Sequence, residues 1–323
     1  MNKKTTWILT IIILGVLVVA GAINLMHSSN NTNAQVKIVI VMPFSGELAV
    51  FGNNVKHGVE IALKQNRLSS STVELITEDT AGFTTNGALS AWRRAIEQDH
   101  ADIVIGPFGP AQTLTIAPTI SSSTKVTVIS ISNCDDRFKN YPEIFCVYPG
   151  IRDQVEHAIN FMKSKGWKRV YLMTENTEFG LLVESILKEH ASDISLIGSE
   201  KIVPNQSKDF RTNIAKVIAE QPDVVYAAFA PNEGFITLKQ YPNLSKGIPL
   251  YIGTDVNKGQ LKDMFGSEAK NIYFAALLGD SYEPTFTKEF LESYETDPDQ
   301  FAALGNSAAE IIFKVLKDSG MKD

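Results

Sequence analysis

The sequence predicts an α/β protein: two doubly wound parallel-sheet lobes joined by a hinge and preceded by an N-terminal apolar helix. Three observations lead there. Short apolar strand patterns alternate with amphipathic helix patterns from residue 36 onward, the signature of parallel sheets covered on both faces. The alternation runs twice, broken by a less regular stretch at 132–149 whose link lies near 145–150. Finally, WILTIIILGVLVVAGAINLM at 7–26 carries no charge and follows Lys3 and Lys4.

About 20 apolar residues suffice to span a bilayer as a helix. The two lysines should stay inside, which places everything downstream outside the cell membrane. Two readings of residues 1–26 fit. Ala20, Gly21 and Ala22 resemble the small-residue cleavage site of a signal peptide. The apolar run nevertheless continues through Ile23, Leu25 and Met26, as in a retained membrane anchor. No cysteine follows the apolar core, so a lipoprotein anchor is excluded. The polar, small-residue segment HSSNNTNAQ at 27–35 reads as a flexible tether.

VKIVIV (36–41) is a buried-strand run, and Val55, Val59, Ala62 and Leu63 then mark a helix by their i, i+4, i+7, i+8 spacing. TVELIT (72–77) reads as a strand, 84–98 as a helix and 103–105 as a strand. A short helix is expected from Thr113, ended near Pro118, followed by the strand VTVISI (126–131).

After the irregular stretch, Val155, Ala158, Ile159 and Met162 mark a helix and RVYLMT a strand. Leu182, Val183, Ile186 and Leu187 mark a helix, and ISLIGSEKIV contains a strand. Phe210, Ile214, Val217 and Ile218 mark a helix, and DVVYAAF a strand. A helix from about Asn232, the strands LYIG and NIYFAA, and two closing helices complete the chain. The first of these carries Phe286, Phe290 and Tyr294, the second Leu304, Ala308, Ile311, Ile312 and Val315. The expected lobes are 36–148 and 149–280, with 281–323 returning to the first. In each, a ligand belongs beyond the carboxyl ends of the strands.

The 323 residues are 44% hydrophobic and 20% charged, enough for a substantial core. A net charge of −6 without any Lys/Arg stripe argues against nucleic acid. HExxH, GxSxG, Walker, GxGxxG and CxxC patterns are missing, and the five histidines are scattered. No catalytic residues, cofactor or metal are therefore expected. Cys134 and Cys146 either form a disulfide, as suits an exported chain, or stand as two unlinked thiols.

Six stretches stand in the order and spacing of one family: IVIVMPFSGELAVFG, DIVIGPFGPAQTLTIAP, VTVISIS, KRVYLMTENTEFG, KDFRTNIAKVIAEQPDVVYAAF and YIGTD. In them the chain resembles type I periplasmic solute-binding proteins of the Leu/Ile/Val-binding kind, from residue 36 onward. The resemblance implies a non-enzymatic, extracytoplasmic receptor of an ABC importer. Its partners would be a small amphipathic ligand, foremost an aliphatic amino acid, and a membrane permease. A membrane-tethered sensor or interaction module with a changed pocket is the alternative. The resemblance also implies a further crossover and strand pair beyond the last helix, so this sequence is either a fragment or has lost that end.

Site residues follow position by position. Pro110 stands where relatives place a carboxylate-binding Ser. That leaves the N–H groups of Ala111 and Gln112 at a helix start for an anion, or a tight turn that only packs a helix. Ser132, Asn133 and Cys134 occupy the second grip, with Cys134 on a Thr position and Cys146 where relatives commonly carry Arg. Asp255 falls on the ammonium-binding carboxylate position, and also reads as a helix N-cap. Phe51, Phe179 and Phe229 align with pocket walls, or pack as ordinary core. Phe44, Ser45 and Gly46 form the loop after the first strand, within reach of a ligand, and Glu78 and Asp79, which end the second strand near the same rim, read as a solvated loop.

Overall fold

A computed structural model describes residues 35–68, 72–123, 126–204, 206–253, 261, 270–275 and 282–318. The expected apolar helix at 1–26 and tether at 27–34 lie outside them. Among the described residues, no helix is long and apolar enough to cross a membrane.

The first lobe is built on β1 (Val36–Met42), β2 (Val73–Asp79), β3 (Ile103–Phe108), β4 (Thr127–Asn133) and β5 (Ile144–Tyr148). They form one parallel sheet in the order β2-β1-β3-β4-β5. Val39 faces Ile76 on one side and Val104 on the other. Central strands buried on both faces demand continuous Val/Ile runs, and VKIVIVM supplies one. Helices α1 (Ala49–Gln65), α2 (Thr85–Glu97) and α3 (Pro110–Ser123) are the crossovers.

The second lobe repeats the plan. Its strands are β6 (Arg169–Glu175), β7 (Ser195–Ile202), β8 (Val224–Ala228), β9 (Leu250–Ile252) and β10 (Ile272–Phe274), in the parallel order β10-β9-β8-β6-β7. Helices α4 (Ile151–Ser164), α5 (Glu178–Glu189), α6 (Arg211–Ala219) and α7 (Pro231–Gln240) accompany it. One buried apolar cluster includes Ile38, Phe51 and Phe301 of the first lobe and Met173, Phe210 and Phe229 of the second.

The chain ends in α8 (Pro284–Tyr294) and α9 (Gln300–Asp318), and both pack on α1 of the first lobe. Tyr294 donates its hydroxyl to Glu60 at 2.7 Å, and Asn54 donates to Asp299 at 2.7 Å. The α1–α9 crossing is close enough that a Cβ on Gly58 would lie 1.9 Å from the Ala302 carbonyl oxygen, so only glycine fits there.

Two expectations are corrected. Helix α3 starts at Pro110, not Thr113, and continues through Pro118 to Ser123. Proline suits a first helical position, and the full burial of Ile116, Ala117 and Ile120 outweighs the backbone bond that Pro118 forfeits. The irregular stretch at 132–149 holds a 3-10 turn (Asp136–Asn140) and the edge strand β5. Proline and glycine punctuation masks that short strand. The closing helix α9 is where its apolar residues mark it; of these Ile311 and Val315 are 51% and 61% exposed, while Leu304, Ala308, Ile312 and also Phe313 face inward.

Candidate functional site: the interlobe cleft

The carboxyl ends of strands from both sheets converge on one cavity of about 1120 Å³. Phe108 at the end of β3 and Asn133 at the end of β4 come from the first lobe. Glu175 at the end of β6, Phe229 after β8 and Gly253 after β9 come from the second. Residues 150–154, where the chain passes from β5 into α4, border it as well.

The turn from β3 into α3 forms one wall. Gly109 has φ +106°, a region side chains resist, and a Cβ there would also meet Gln112 Oε1 and the Phe83 ring. Pro110 brings no N–H, and Thr113 N–H returns to the Gly109 carbonyl at 3.1 Å. Ala111 and Gln112 both line the cavity, with their N–H groups in the first turn of the helix. Gln112 is buried, and its Oε1 has no hydrogen-bond partner. Phe83 and Phe108 also line the cavity, their rings tilted by 60° with centroids 5.2 Å apart.

In the second lobe, Thr177 caps α5 by accepting from Gly180 N–H at 3.3 Å, which positions Phe179 at the cavity. Glu175 and Glu233 line the same cavity at 5% and 4% exposure. The Ala230 N–H donates to Glu175 Oε1, and the Thr177 hydroxyl lies 3.5 Å from Oε2. Burial pushes the Glu175 carboxyl above its ordinary range; the charge of Glu233 adds to that rise, and the Ala230 and Thr177 contacts oppose it.

Two guanidiniums border the cleft. Arg137 is held by both oxygens of Asp135, at 2.9 and 2.7 Å, and also reaches Glu178. Arg152 pairs with Glu189 at 2.8 Å and with Glu156 at 3.6 Å.

The sequence-derived residues divide accordingly. Ala111, Gln112, Asn133, Cys134, Phe179 and Phe229 border the cavity. Phe51 is corrected to a core position: it is fully buried and packs on Phe108 and Phe301 at 5.6 and 4.5 Å, behind the cleft wall. Ser132 is likewise corrected to a buried hydroxyl cluster, 2.6 Å from Ser130, whose own hydroxyl is 2.8 Å from Thr113. Strand alternation turns Ser132 inward and leaves its neighbour Asn133 at the rim. Asp255 lies outside the described residues. Cys134 and Cys146 are joined in a disulfide with Cα atoms 5.8 Å apart. Asp79 is engaged by the N–H groups of Phe44 and Ala81, both at 2.8 Å, and so fixes the loop after β1.

Sequence reasoning passed over Glu175, Glu233, Arg137 and Arg152. Glu175 had a usable signal, a carboxylate at the carboxyl end of a strand. Glu233 in the first turn of α7 reads as an ordinary helix-dipole partner.

Two wound lobes that turn their strand ends onto one shared cavity define the class of two-lobed solute-binding proteins. The chain belongs to the periplasmic binding protein family, whose sequence model matches residues 35–323. That family is one of binding proteins, not enzymes. The chain is similar to the Leu/Ile/Val-binding protein BraC3 of Rhizobium johnstonii, with 24% identity over 231 residues, 69% of this chain and 62% of that protein. It thus spans less than two thirds of that relative's length.

Among solved structures, it shares its fold with a solute-binding protein of R. palustris in complex with benzoate. That structure has a TM-score of 0.78 and 20% identity, and the match covers 90% of this chain and 82% of the other. LivJ of Streptococcus pneumoniae in complex with isoleucine has a TM-score of 0.77 and 20% identity, covering 88% and 85%.

Proposed function

We propose that the protein is the exported solute receptor of an ABC importer. It captures a small amphipathic molecule bearing an ammonium group between its lobes and presents the closed form to a membrane permease. An aliphatic amino acid is the first candidate, as the Leu/Ile/Val-binding relative and the isoleucine complex suggest. The benzoate complex sets an aromatic carboxylate against it. The observation that carries the reading is the shared cavity, lined by strand ends of both lobes. Lobe closure around a guest shifts the open–closed equilibrium by its differential affinity for the two states.

Residues 1–26 act in this reading as the export signal or as an anchor. Ala111, Gln112, Asn133, Phe179 and Phe229 contact the guest, and Asp255 supplies a carboxylate. A thermal-shift screen of aliphatic amino acids and benzoates tests it. A ligand at a hundredfold its Kd stabilises the folded state by about 2.7 kcal/mol. Asp255→Ala should weaken binding more than about tenfold, the loss of a charge-assisted bond; unchanged affinity removes Asp255 from the site. No response to any solute favours a tethered interaction module with the same fold.

A further inference from the structure

The described lining of the cleft is unbalanced in charge. Asp135, Asp136, Asp153, Glu175, Glu178 and Glu233 are acidic, and only Arg137 and Arg152 are basic. Both guanidiniums are already engaged by carboxylates of the protein itself, Arg137 by Asp135 and Glu178, Arg152 by Glu189 and Glu156. Neither is an uncommitted partner for a ligand's carboxylate.

Burial sharpens the imbalance. Glu175 and Glu233 are more than nine-tenths buried, and no described cation pairs with Glu175. A buried carboxylate without a counter-charge is costly, and a cation arriving in the cleft relieves that cost. An independent observation has the same polarity. Gln112, from the opposite lobe, is buried in the lining with its Oε1 unpartnered, and this too is an acceptor without a donor. The apolar part of the lining includes the rings of Phe83, Phe108, Phe179 and Phe229. Aromatic faces attract cations as well as apolar groups. Leu181 and Leu182, exposed at the mouth, add apolar surface for an alkyl body.

We infer that Glu175, with the phenylalanine walls, forms a cation subsite, and that the solute is a compact alkylammonium whose recognition needs no carboxylate. The inference rests on the reading of the cleft as a solute site, and in place of an aliphatic amino acid, which is net neutral, it puts a solute of net positive charge.

The test compares leucine with isopentylamine, which has the same skeleton without the carboxylate. Calorimetric titration of the full chain and of Glu175→Gln measures both, with benzoate as a third solute. The amine should bind the unaltered protein at least about tenfold more tightly than leucine, the order of one charge-assisted contact. Glu175→Gln should weaken the amine by about tenfold or more without lowering the thermal midpoint, because the amide oxygen still accepts from Ala230 N–H. Leucine binding as tightly as the amine, or an amine affinity indifferent to Glu175→Gln, overturns the inference. Binding of leucine or benzoate with no binding of the amine overturns it and leaves the solute-receptor reading in place. Failure of all three to bind overturns both.

Discussion

Arg137 of the first lobe donates from Nη1 to Glu178 Oε1 of the second at 2.9 Å, tying the lobes together across the cleft. Both side chains are exposed, and exposed pairs contribute little on their own. Their consequence lies in the balance between open and closed forms. Glu178→Ala should weaken ligand affinity by less than about fivefold and flatten its dependence on salt, because screening acts on exposed charges. Titrations at low and high ionic strength check this, and parallel salt curves for the two proteins would count against a tie.

The contact of α1 with α9 holds the terminal helices on the first lobe. A methyl group at Gly58 has the Ala302 carbonyl 1.9 Å away, with rigid backbone on both sides. Gly58→Ala should therefore destabilise the protein by about 1–3 kcal/mol through overpacking. Denaturant unfolding followed by circular dichroism reads this directly, and an unchanged midpoint would mean that the helices move apart freely.

Cys134 and Cys146 close a short loop, 12 residues apart, from the end of β4 to β5. Closing a loop of this size contributes about 3 kcal/mol by restricting the unfolded chain. Reduction, or Cys134→Ser with Cys146→Ser, should lower the thermal midpoint and loosen a segment that borders the cleft. Identical melting with and without reductant would dispose of that role.

Glu175 makes stability depend on pH. Burial and then the charge of Glu233 raise its carboxyl above the reference value of 4.5. The folded protein thus keeps this proton to higher pH than the unfolded chain does. The stabilising contribution is complete below the unfolded value and is lost as pH rises through the folded one. Without ligand, the protein should lose stability from the ordinary carboxylate range towards neutrality more steeply than Glu175→Gln. Thermal melts from about pH 4 to 7.5 decide it, and superimposable profiles for the two proteins would exclude Glu175 as the source.

The alternation of apolar runs and amphipathic stripes was enough to derive the two sheets and most of their helices, while the family came from a resemblance. Strand and helix periodicity is local, and each element declares itself within a dozen residues. That resemblance lies in six stretches standing in family order. Where local signals competed with burial, burial won: α3 runs through Pro118 because Ile116 and Ile120 pack inside. The chemistry of the cleft was far less legible. Ser132 and Asn133 are neighbours in the chain, yet one is sealed in a hydroxyl cluster and the other borders the cavity. Phe51 lies one ring behind Phe108. The Ala230 N–H that grips Glu175 is 55 residues away from it, and Arg137 is 41 residues from Glu178. These pairings depend on which strand ends the folded lobes bring face to face, and no pattern confined to one segment encodes that.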